Sequence, residues 1–165
     1  MELEKLHDMG VELETGDEGI RVKEKDPAGL RGVDVSTLPF PGFATDLQAQ
    51  MMVLLTQASG CGIITENVYE NRLQVAEELN RMGAGIDLFG GHRALVRGPR
   101  RLSGTTVQAP DLRGGAALVI AGLVAEGTTV VDDARHILRG YERFKEKLSA
   151  LGAAVAFESG APVAR

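Results

Sequence analysis

The stretch Leu79-Asn80-Arg81-Met82-Gly83-Ala84-Gly85-Ile86 joins two kinds of hydrophobic pattern. Before Gly83, apolar residues lie three apart, which is typical of one face of a helix. After Gly83, apolar and polar residues alternate, which is typical of a strand with one buried face. Glycine takes the left-handed backbone conformation that commonly ends a helix. The stretch therefore predicts a helix that ends at Gly83 and leads directly into a strand.

The same joint occurs at two other places in the chain, at intervals of about 70 residues. Their sequences are Leu6-His7-Asp8-Met9-Gly10-Val11-Glu12-Leu13 and Leu148-Ser149-Ala150-Leu151-Gly152-Ala153-Ala154-Val155. Self-similarity at a fixed period indicates one structural unit that is used several times. Three such joints predict about two and a half copies of that unit.

The elements between the joints also repeat. Apolar helices are predicted to begin at Asp46 and Asp111 and to end before Gly60 and Gly127. Each is followed by a β-branched strand and then by a second helix. The predicted strands are residues 63–65 and 128–131, and the predicted second helices are residues 71–82 and 140–151. The fold class expected is α/β (α+β), built from repeated βαβαββ units.

The ends of the chain do not coincide with the ends of this repeat. Residues 1–9 already have the pattern of the end of a helix, and residues 159–165 carry little pattern and are expected to be frayed. A domain rarely begins in mid-repeat, so we expect a fragment, or a unit that another segment completes. The expectation is one partial lobe over residues 1–165, with joints near 10, 83 and 152. An open sheet edge in such a lobe would invite self-association.

The composition bounds the classes of function. With 165 residues, of which 44% are hydrophobic and 25% charged, the chain can bury one domain core. Its net charge of −5 opposes binding to nucleic acid. No 18-residue apolar run and no basic-then-apolar leader occur, so we expect no membrane span and a cytoplasmic location. The three histidines lack the spacing of metal ligands, and the single cysteine, Cys61, is expected to be an inert thiol.

Asp46 is the first candidate for chemistry. Thr45 and Gln48 fit a capping box, which predicts that Thr45 is the N-cap and that Asp46 occupies the first helical position. An acid there faces the positive end of the helix dipole, a stabilisation worth roughly 0.3–1 kcal/mol. The sequence leaves two interpretations open: Asp46 stabilises the helix alone, or it also serves in acid/base chemistry.

Asp111, Arg113 and Arg139 are further candidates. Asp111 and Arg113 flank the start of a helix whose residues 114–117 are only glycine and alanine. Such small residues allow either tight helix packing or the close approach of an anion to the helix N-terminus, and both interpretations remain open. Arg139 is predicted to lie just ahead of the next helix, where its guanidinium could hold a carboxylate or a phosphate.

Six segments of the sequence carry a resemblance to a known family. They are Pro41-Gly42-Phe43-Ala44-Thr45-Asp46-Leu47-Gln48-Ala49-Gln50, Ile64-Thr65-Glu66-Asn67-Val68-Tyr69-Glu70-Asn71-Arg72, Glu78-Leu79-Asn80-Arg81-Met82-Gly83-Ala84, Asp111-Leu112-Arg113, Ala121-Gly122-Leu123-Val124-Ala125-Glu126-Gly127 and Arg139-Gly140-Tyr141-Glu142-Arg143. Together they resemble the C-terminal part of the enolpyruvyl transferases that act on UDP-N-acetylglucosamine. The resemblance implies two lobes of three βαβαββ units each, with helices inside, sheets outside and substrates between the lobes. This chain would be most of one lobe.

The resemblance also implies a reaction. That family transfers the enolpyruvyl group of phosphoenolpyruvate to the 3-hydroxyl of UDP-N-acetylglucosamine, through a tetrahedral adduct, in peptidoglycan precursor synthesis. By match, Asp46 would be the base near the 3-hydroxyl, and Val68 would contact the sugar nucleotide through its backbone. Arg113 and Arg139 would hold phosphoenolpyruvate, and Asp111 would take part in proton transfer. No cofactor is implied, and the partner implied is a complementary N-terminal lobe.

The chain departs from the family in two places, and other functions remain open. The family's lysine-asparagine pair and the mobile loop with its reactive cysteine have no counterpart, and Cys61 is not that cysteine. We therefore expect the isolated chain to bind substrate weakly without turnover. One alternative is a non-catalytic binding or scaffold domain with the same fold. Others are a related enzyme acting on shikimate 3-phosphate or an RNA-terminal phosphate cyclase. Residues 64–72 favour the sugar nucleotide, and the acidic charge disfavours RNA.

Overall fold

The computed structural model describes residues 2–23 and 27–158. Helices and strands alternate along most of this length. They are α1 (Glu2–Asp8), β1 (Leu13–Gly16), β2 (Gly19–Val22), β3 (Val35–Ser36), α2 (Gln48–Gln57), β4 (Gly60–Thr65), α3 (Val75–Arg81), β5 (Gly85–Phe89), β6 (Arg93–Gly98), β7 (Thr106–Gln108), α4 (Leu112–Val124), β8 (Val130–Asp132), α5 (Arg135–Gly140) and α6 (Phe144–Ala150). Short 3-10 turns occur at Pro27–Gly29, Thr45–Leu47 and Arg72–Gln74.

The middle of the chain forms one complete βαβαββ unit, from β3 to β6. Its sheet has the order β3-β4-β6-β5, in which β3 and β4 are parallel and the other pairs are antiparallel. Before it, β1 and β2 form an antiparallel hairpin like that of β5 and β6. After it, β7 and β8 form a parallel pair like that of β3 and β4. The predicted fold class of repeated βαβαββ units is confirmed.

The three glycine joints share one geometry. Gly10, Gly83 and Gly152 have φ angles of 94°, 95° and 93°. At each joint the glycine N–H donates to the carbonyl three residues earlier, at 2.8 to 3.0 Å. The next N–H donates to the carbonyl five residues earlier, at 2.9 to 3.1 Å. This is the bonding of a Schellman helix end, and it turns the chain sharply from each helix toward the segment that follows.

The core lies around α2 and α4, which pack against each other under the sheets. Buried residues occupy nearly the whole circumference of α2. The sheet of the complete unit covers this core with one face, since Ile64 of β4 is fully buried while its neighbour Ile63 is exposed. The buried core side chains include Met52, Leu55, Ile64, Leu79, Val96 and Leu118. Burial of each such side chain is worth about 1.5–3 kcal/mol. This burial stabilises an arrangement in which the helices lie inside and the sheets outside.

The predicted capping box at the start of α2 is wrong. Thr45 begins a 3-10 turn whose N-cap is Ala44, and no side chain caps that turn. The α-helix itself begins at Gln48 and has no side-chain cap either. The physical reason is a stronger partner for the hydroxyl: Thr45 Oγ1 donates to the carboxylate of Glu66 at 2.9 Å, so it is not directed at a helix N–H.

The helix predicted over residues 140–151 begins later, as α6 at Phe144, and a separate helix that was not predicted, α5, precedes it. The chain breaks helical geometry at Arg143, whose φ is 49°. Arg139 was predicted to lie just ahead of a helix, and it lies instead in the last turn of α5. The earlier start of α5 has a packing cause, since Ile137 is buried and points toward Gly115 of α4.

The ends of the described chain differ from the repeat in one respect. The alternating strand predicted after Gly152 is absent, since residues 153–158 form no strand among the described residues. A strand needs a neighbour for its backbone N–H and C=O groups, and none of the described strands pairs with this segment. The frayed tail predicted at 159–165 lies outside the described residues. None of the described helices has the length and apolar character needed to cross a membrane.

Candidate functional site

The site begins at the carboxyl ends of the parallel strands β3 and β4. Their last residues, Ser36 and Thr65, pair in register, so Thr37 and Glu66 follow at the same edge of the sheet. Ligand sites in α/β folds commonly lie at this edge. Thr37 is fully buried and Glu66 is only 3% exposed. A buried carboxylate at such an edge requires several hydrogen-bond donors, and the chain supplies them.

Glu66 accepts four hydrogen bonds. Its Oε1 accepts from the Thr37 hydroxyl at 2.8 Å and from the backbone N–H groups of Val68 and Tyr69 at 2.9 and 3.0 Å. Its Oε2 accepts from the Thr45 hydroxyl at 2.9 Å. The carboxylate thus joins the end of β3, the loop after β4 and the turn that precedes α2.

Arg72 connects this cluster to Asp46. Its Nη1 donates to Thr45 Oγ1 at 2.8 Å and lies 3.3 Å from Asp46 Oδ1. The guanidinium also lies over the ring of Tyr69, 4.1 Å from its centroid, a cation–π contact that holds it in place. Because the Arg72 side chain is only 13% exposed, its charge is directed at Asp46 from a partly desolvated position.

Asp46 receives a second arginine from α4. Arg113, in the first turn of that helix, donates from Nε to Asp46 Oδ1. The hydrogen bond from Arg113 is the main cause that lowers the pKa of Asp46 below its usual 3.8; partial burial opposes it, and the charges of Arg113 and Arg72 add to it. In turn, the bond to Asp46 raises the pKa of Arg113. Asp46 is therefore a carboxylate at neutral pH, with its side chain 60% exposed and open to a ligand.

Asp111 caps α4. Its Oδ1 accepts from the backbone N–H groups of Arg113 at 2.6 Å and Gly114 at 2.9 Å. This is the N-cap bonding expected for an aspartate, and it confirms that Asp111 begins this helix. The small residues that follow are used for packing. A Cβ on Gly115 would lie 2.9 Å from Ala109 Cβ and about as close to Ile137.

Val68 and Arg139 border the same region. The N–H of Val68 is bound to Glu66, so its carbonyl is the backbone group left for a ligand. Arg139 is exposed, and among the described residues its side chain makes no hydrogen bond or ion pair. It precedes Gly140, whose Cα approaches Leu112 so closely that a Cβ would lie 2.5 Å from Leu112 Cδ1. The backbone at Arg139 therefore lies near the N-terminus of α4.

The structure brings Asp46 and Arg113 into direct contact and places Asp111 behind Arg113 on the same helix end. It shows no direct contact of Val68 or Arg139 with Asp46. Sequence reasoning did not identify Glu66 or Arg72 as individual site residues. Glu66 had one readable signal, because an acid directly after a buried apolar strand marks the carboxyl edge of a sheet. Arg72 had no such signal, since its partners are distant in the chain.

Comparison with known proteins identifies the family. The family model described as EPSP synthase (3-phosphoshikimate 1-carboxyvinyltransferase) matches residues 1–148. Among curated relatives, the UDP-N-acetylglucosamine 1-carboxyvinyltransferase of Halothermothrix orenii is 53% identical over 90% of this chain and 35% of its own length. That of Granulibacter bethesdensis is 50% identical over 94% of this chain and 36% of its own length. The chain thus spans about a third of the length of these relatives.

Solved structures agree on the fold. The enolpyruvyl transferase NikO from Streptomyces tendae superposes with a TM-score of 0.84 at 31% identity, over 92% of this chain and 35% of that one. An EPSP synthase from Acinetobacter baumannii superposes with a TM-score of 0.73 at 22% identity, over 95% of this chain and 37% of that one. The second likeness concerns the fold alone. From the family match over residues 1–148, this chain belongs to the EPSP synthase (3-phosphoshikimate 1-carboxyvinyltransferase) family.

Proposed function

We propose that this chain is part of an enzyme that transfers the enolpyruvyl group of phosphoenolpyruvate to the 3-hydroxyl of UDP-N-acetylglucosamine. The observation that carries the proposal is the exposed Asp46 carboxylate held between Arg113 and Arg72 at the mouth of α2. Relatives that bear the name of this transferase are about 50% identical to the chain over nine tenths of its length. The shikimate enzyme of similar fold is 22% identical, so the sugar nucleotide is the better supported acceptor.

The reaction needs a base and a cradle for anions. The oxygen of the 3-hydroxyl bonds to C2 of phosphoenolpyruvate while its proton passes to Asp46, and C3 receives a second proton from solvent or from an acid of the complementary lobe. The tetrahedral adduct then loses a C3 proton and phosphate, which restores the double bond. We assign Asp46 the first proton transfer because its side chain is exposed and fixed by two arginines.

Arg113 links the base to the anion. A carboxylate or phosphate of phosphoenolpyruvate would compete with Asp46 for the Arg113 guanidinium, because arginine binds such groups in a planar fork. Once Arg113 turns to the ligand, the main cause that lowers the pKa of Asp46 is removed. Asp46 therefore becomes a stronger base once phosphoenolpyruvate is bound to Arg113.

Arg139, Val68 and Asp111 complete the proposed assignment. Arg139 is exposed beside the N-terminus of α4 and is assigned to phosphoenolpyruvate with Arg113. The Val68 carbonyl is assigned to the sugar nucleotide, since its N–H is bound to Glu66. Asp111 uses Oδ1 as a helix cap, which leaves Oδ2 for a part in proton transfer.

The proposal includes partners and a location. A complementary N-terminal lobe would supply the other wall of the site, and the cytoplasmic location predicted from the sequence belongs to this proposal. Self-association is a competing use of the open sheet edges. In the complete unit, β4 pairs with β3 on one edge and with β6 on the other. Its counterpart β8 pairs with β7 on one edge, and its other edge has no strand partner among the described residues.

Isothermal titration of UDP-N-acetylglucosamine tests the proposal. The ligand is titrated into the chain alone, and then into the chain mixed with the part of the Halothermothrix orenii relative that it does not cover. We expect weak binding to the chain alone and tighter binding to the mixture, because the second lobe completes the site. Asp46→Ala should abolish the gain, whereas Asp87→Ala, at an exposed position of β5, should keep it. Binding of shikimate 3-phosphate in place of the sugar nucleotide would refute the proposed acceptor.

A further inference from the structure

We propose that Glu66 is the positioning residue of the candidate site. Its single buried carboxylate holds the turn that carries Asp46 and the loop that carries Val68 in one fixed arrangement. The geometry stands on the structure alone, whereas its consequence for substrate binding rests on the proposed function. Four donors converge on Glu66, and they come from three separate segments of the chain.

The first connection runs from Glu66 to Asp46 through Thr45. A hydroxyl carries one hydrogen, and that of Thr45 is donated to Glu66 Oε2 at 2.9 Å. The oxygen lone pairs of Thr45 are thereby directed elsewhere, and Arg72 Nη1 donates to them at 2.8 Å. The same Nη1 lies 3.3 Å from Asp46 Oδ1. Glu66 therefore determines the direction of the Thr45 hydroxyl, and this hydroxyl holds Arg72 beside Asp46.

The second connection runs through the loop after β4. Glu66 Oε1 accepts from the N–H groups of Val68 and Tyr69, which fixes the two peptide planes. The ring of Tyr69 then supports the Arg72 guanidinium at 4.1 Å. Both connections meet at Arg72, so a loss of the carboxylate would release this arginine from two sides.

The charges that face Asp46 come from two elements. Arg113 approaches from α4, and Arg72 approaches from the 3-10 turn before α3. Glu66 is separated from Asp46 by Thr45, so it acts on Asp46 by orienting Arg72. If Arg72 were released, Arg113 would remain as the one directly paired cation among the described residues. A partial change in the behaviour of Asp46 is therefore expected.

The test measures the side-chain pKa of Asp46 by carbon-13 NMR titration of the chain without substrate. Thr45→Val removes the hydroxyl at nearly constant volume, and Thr45→Ser restores it. We expect the pKa of Asp46 to rise by about 0.2–0.7 units in Thr45→Val and to return in Thr45→Ser. Thr37→Val is the comparison variant. It removes the hydroxyl donor to Glu66 Oε1 and the acceptor of the Asn67 N–H, and it leaves the Thr45 connection intact, so we expect it to raise the pKa of Asp46 less than Thr45→Val does.

An unchanged or lowered pKa in a folded Thr45→Val chain would overturn the proposal. A larger rise in Thr37→Val than in Thr45→Val would overturn the connection through Thr45, because Asp46 would then depend mainly on the loop after β4. Glu66→Gln should raise the pKa of Asp46 as Thr45→Val does, since the amide replaces one acceptor by a donor. If Glu66→Gln does not fold, the Thr45 pair tests the connection from Thr45 through Arg72 to Asp46 on which the proposal depends.

The two proposals can fail separately. If the wild-type chain with its complement does not bind UDP-N-acetylglucosamine, the proposed function fails, and the pKa comparison is unaffected. If the complemented chain binds UDP-N-acetylglucosamine and the pKa of Asp46 is the same in Thr45→Val and Thr45→Ser, only the positioning role of Glu66 fails. In the expected case, Thr45→Val also weakens sugar-nucleotide binding by about 2- to 5-fold, and Thr45→Ser restores it.

Discussion

Replacement of Asp111 separates its structural role from a chemical one. Asp111 Oδ1 accepts from two backbone N–H groups, at 2.6 and 2.9 Å, in the first turn of α4. That turn includes Gly114 and Gly115, each of which costs a helix about 1 kcal/mol relative to alanine. The helix start therefore depends on its cap more than an alanine-rich start would.

The magnitude follows from these contacts. Loss of an N-cap side chain costs about 0.5–2 kcal/mol, and the partly buried bonds of Asp111 place Asp111→Ala in the upper half of this range. In a chain of this size, 1 kcal/mol lowers Tm by about 2–4 °C. Asp111→Asn keeps an oxygen acceptor and loses only the charge at the helix end, which is worth about 0.3–1 kcal/mol. We therefore expect Asp111→Ala to be the less stable variant.

Urea unfolding followed by circular dichroism measures both variants against the wild type. Equal stability of Asp111→Ala and the wild type would refute the capping assignment, as would a greater loss in Asp111→Asn. The asparagine variant also serves in a turnover assay with the complementary lobe. It keeps the helix end but offers no carboxylate, so lost turnover at retained stability would assign Asp111 to proton transfer.

Two further predictions concern charge and packing. In the folded chain the pKa of Asp46 lies below its usual 3.8. The ionised carboxylate therefore stabilises the fold above pH 3.8, and this stabilisation is lost as the pH falls through the folded-state pKa. Asp46→Asn should thus cost less than about 1 kcal/mol at pH 7, given its exposure, and the cost should shrink in urea titrations as the pH falls below 3.8; a cost that did not fall with pH would contradict this. Gly98→Ala should destabilise by about 1–3 kcal/mol in thermal unfolding, since its Cβ would lie 2.3 Å from the Ala58 carbonyl oxygen. Gly16→Ala, where a Cβ meets nothing within 4 Å, should stay within about 0.5 kcal/mol, and equal losses in both would refute the steric reason.

Local signals made much of the fold predictable. The joint at Gly83 needs only a helical pattern, a glycine and an alternating pattern, all within eight residues, and the structure forms it with local hydrogen bonds. The cap at Asp111 is equally local, because its partners lie two and three residues away. Both features therefore follow from short-range rules of backbone bonding.

Long-range contacts explain the errors. Thr45 and Gln48 match a capping box, yet the Thr45 hydroxyl binds Glu66, 21 residues away, and pattern reading cannot weigh a distant buried carboxylate against a nearby N–H. The unpredicted helix α5 likewise depends on packing against α4, since Ile137 lies beside Gly115, 22 residues earlier in the chain. The pairing of Asp46 with Arg113 spans 67 residues, and the packing of α2 against α4 brings the two together.

Phosphate release tests the central proposal most directly. The chain is mixed with the complementary part of the Halothermothrix orenii relative and supplied with phosphoenolpyruvate and either UDP-N-acetylglucosamine or shikimate 3-phosphate. We expect phosphoenolpyruvate to release phosphate with UDP-N-acetylglucosamine and not with shikimate 3-phosphate, and we expect this release to be abolished by Asp46→Ala and retained by Asp87→Ala. A well-folded complex that releases no phosphate with the sugar nucleotide, or that releases it with shikimate 3-phosphate instead, would contradict the proposed function.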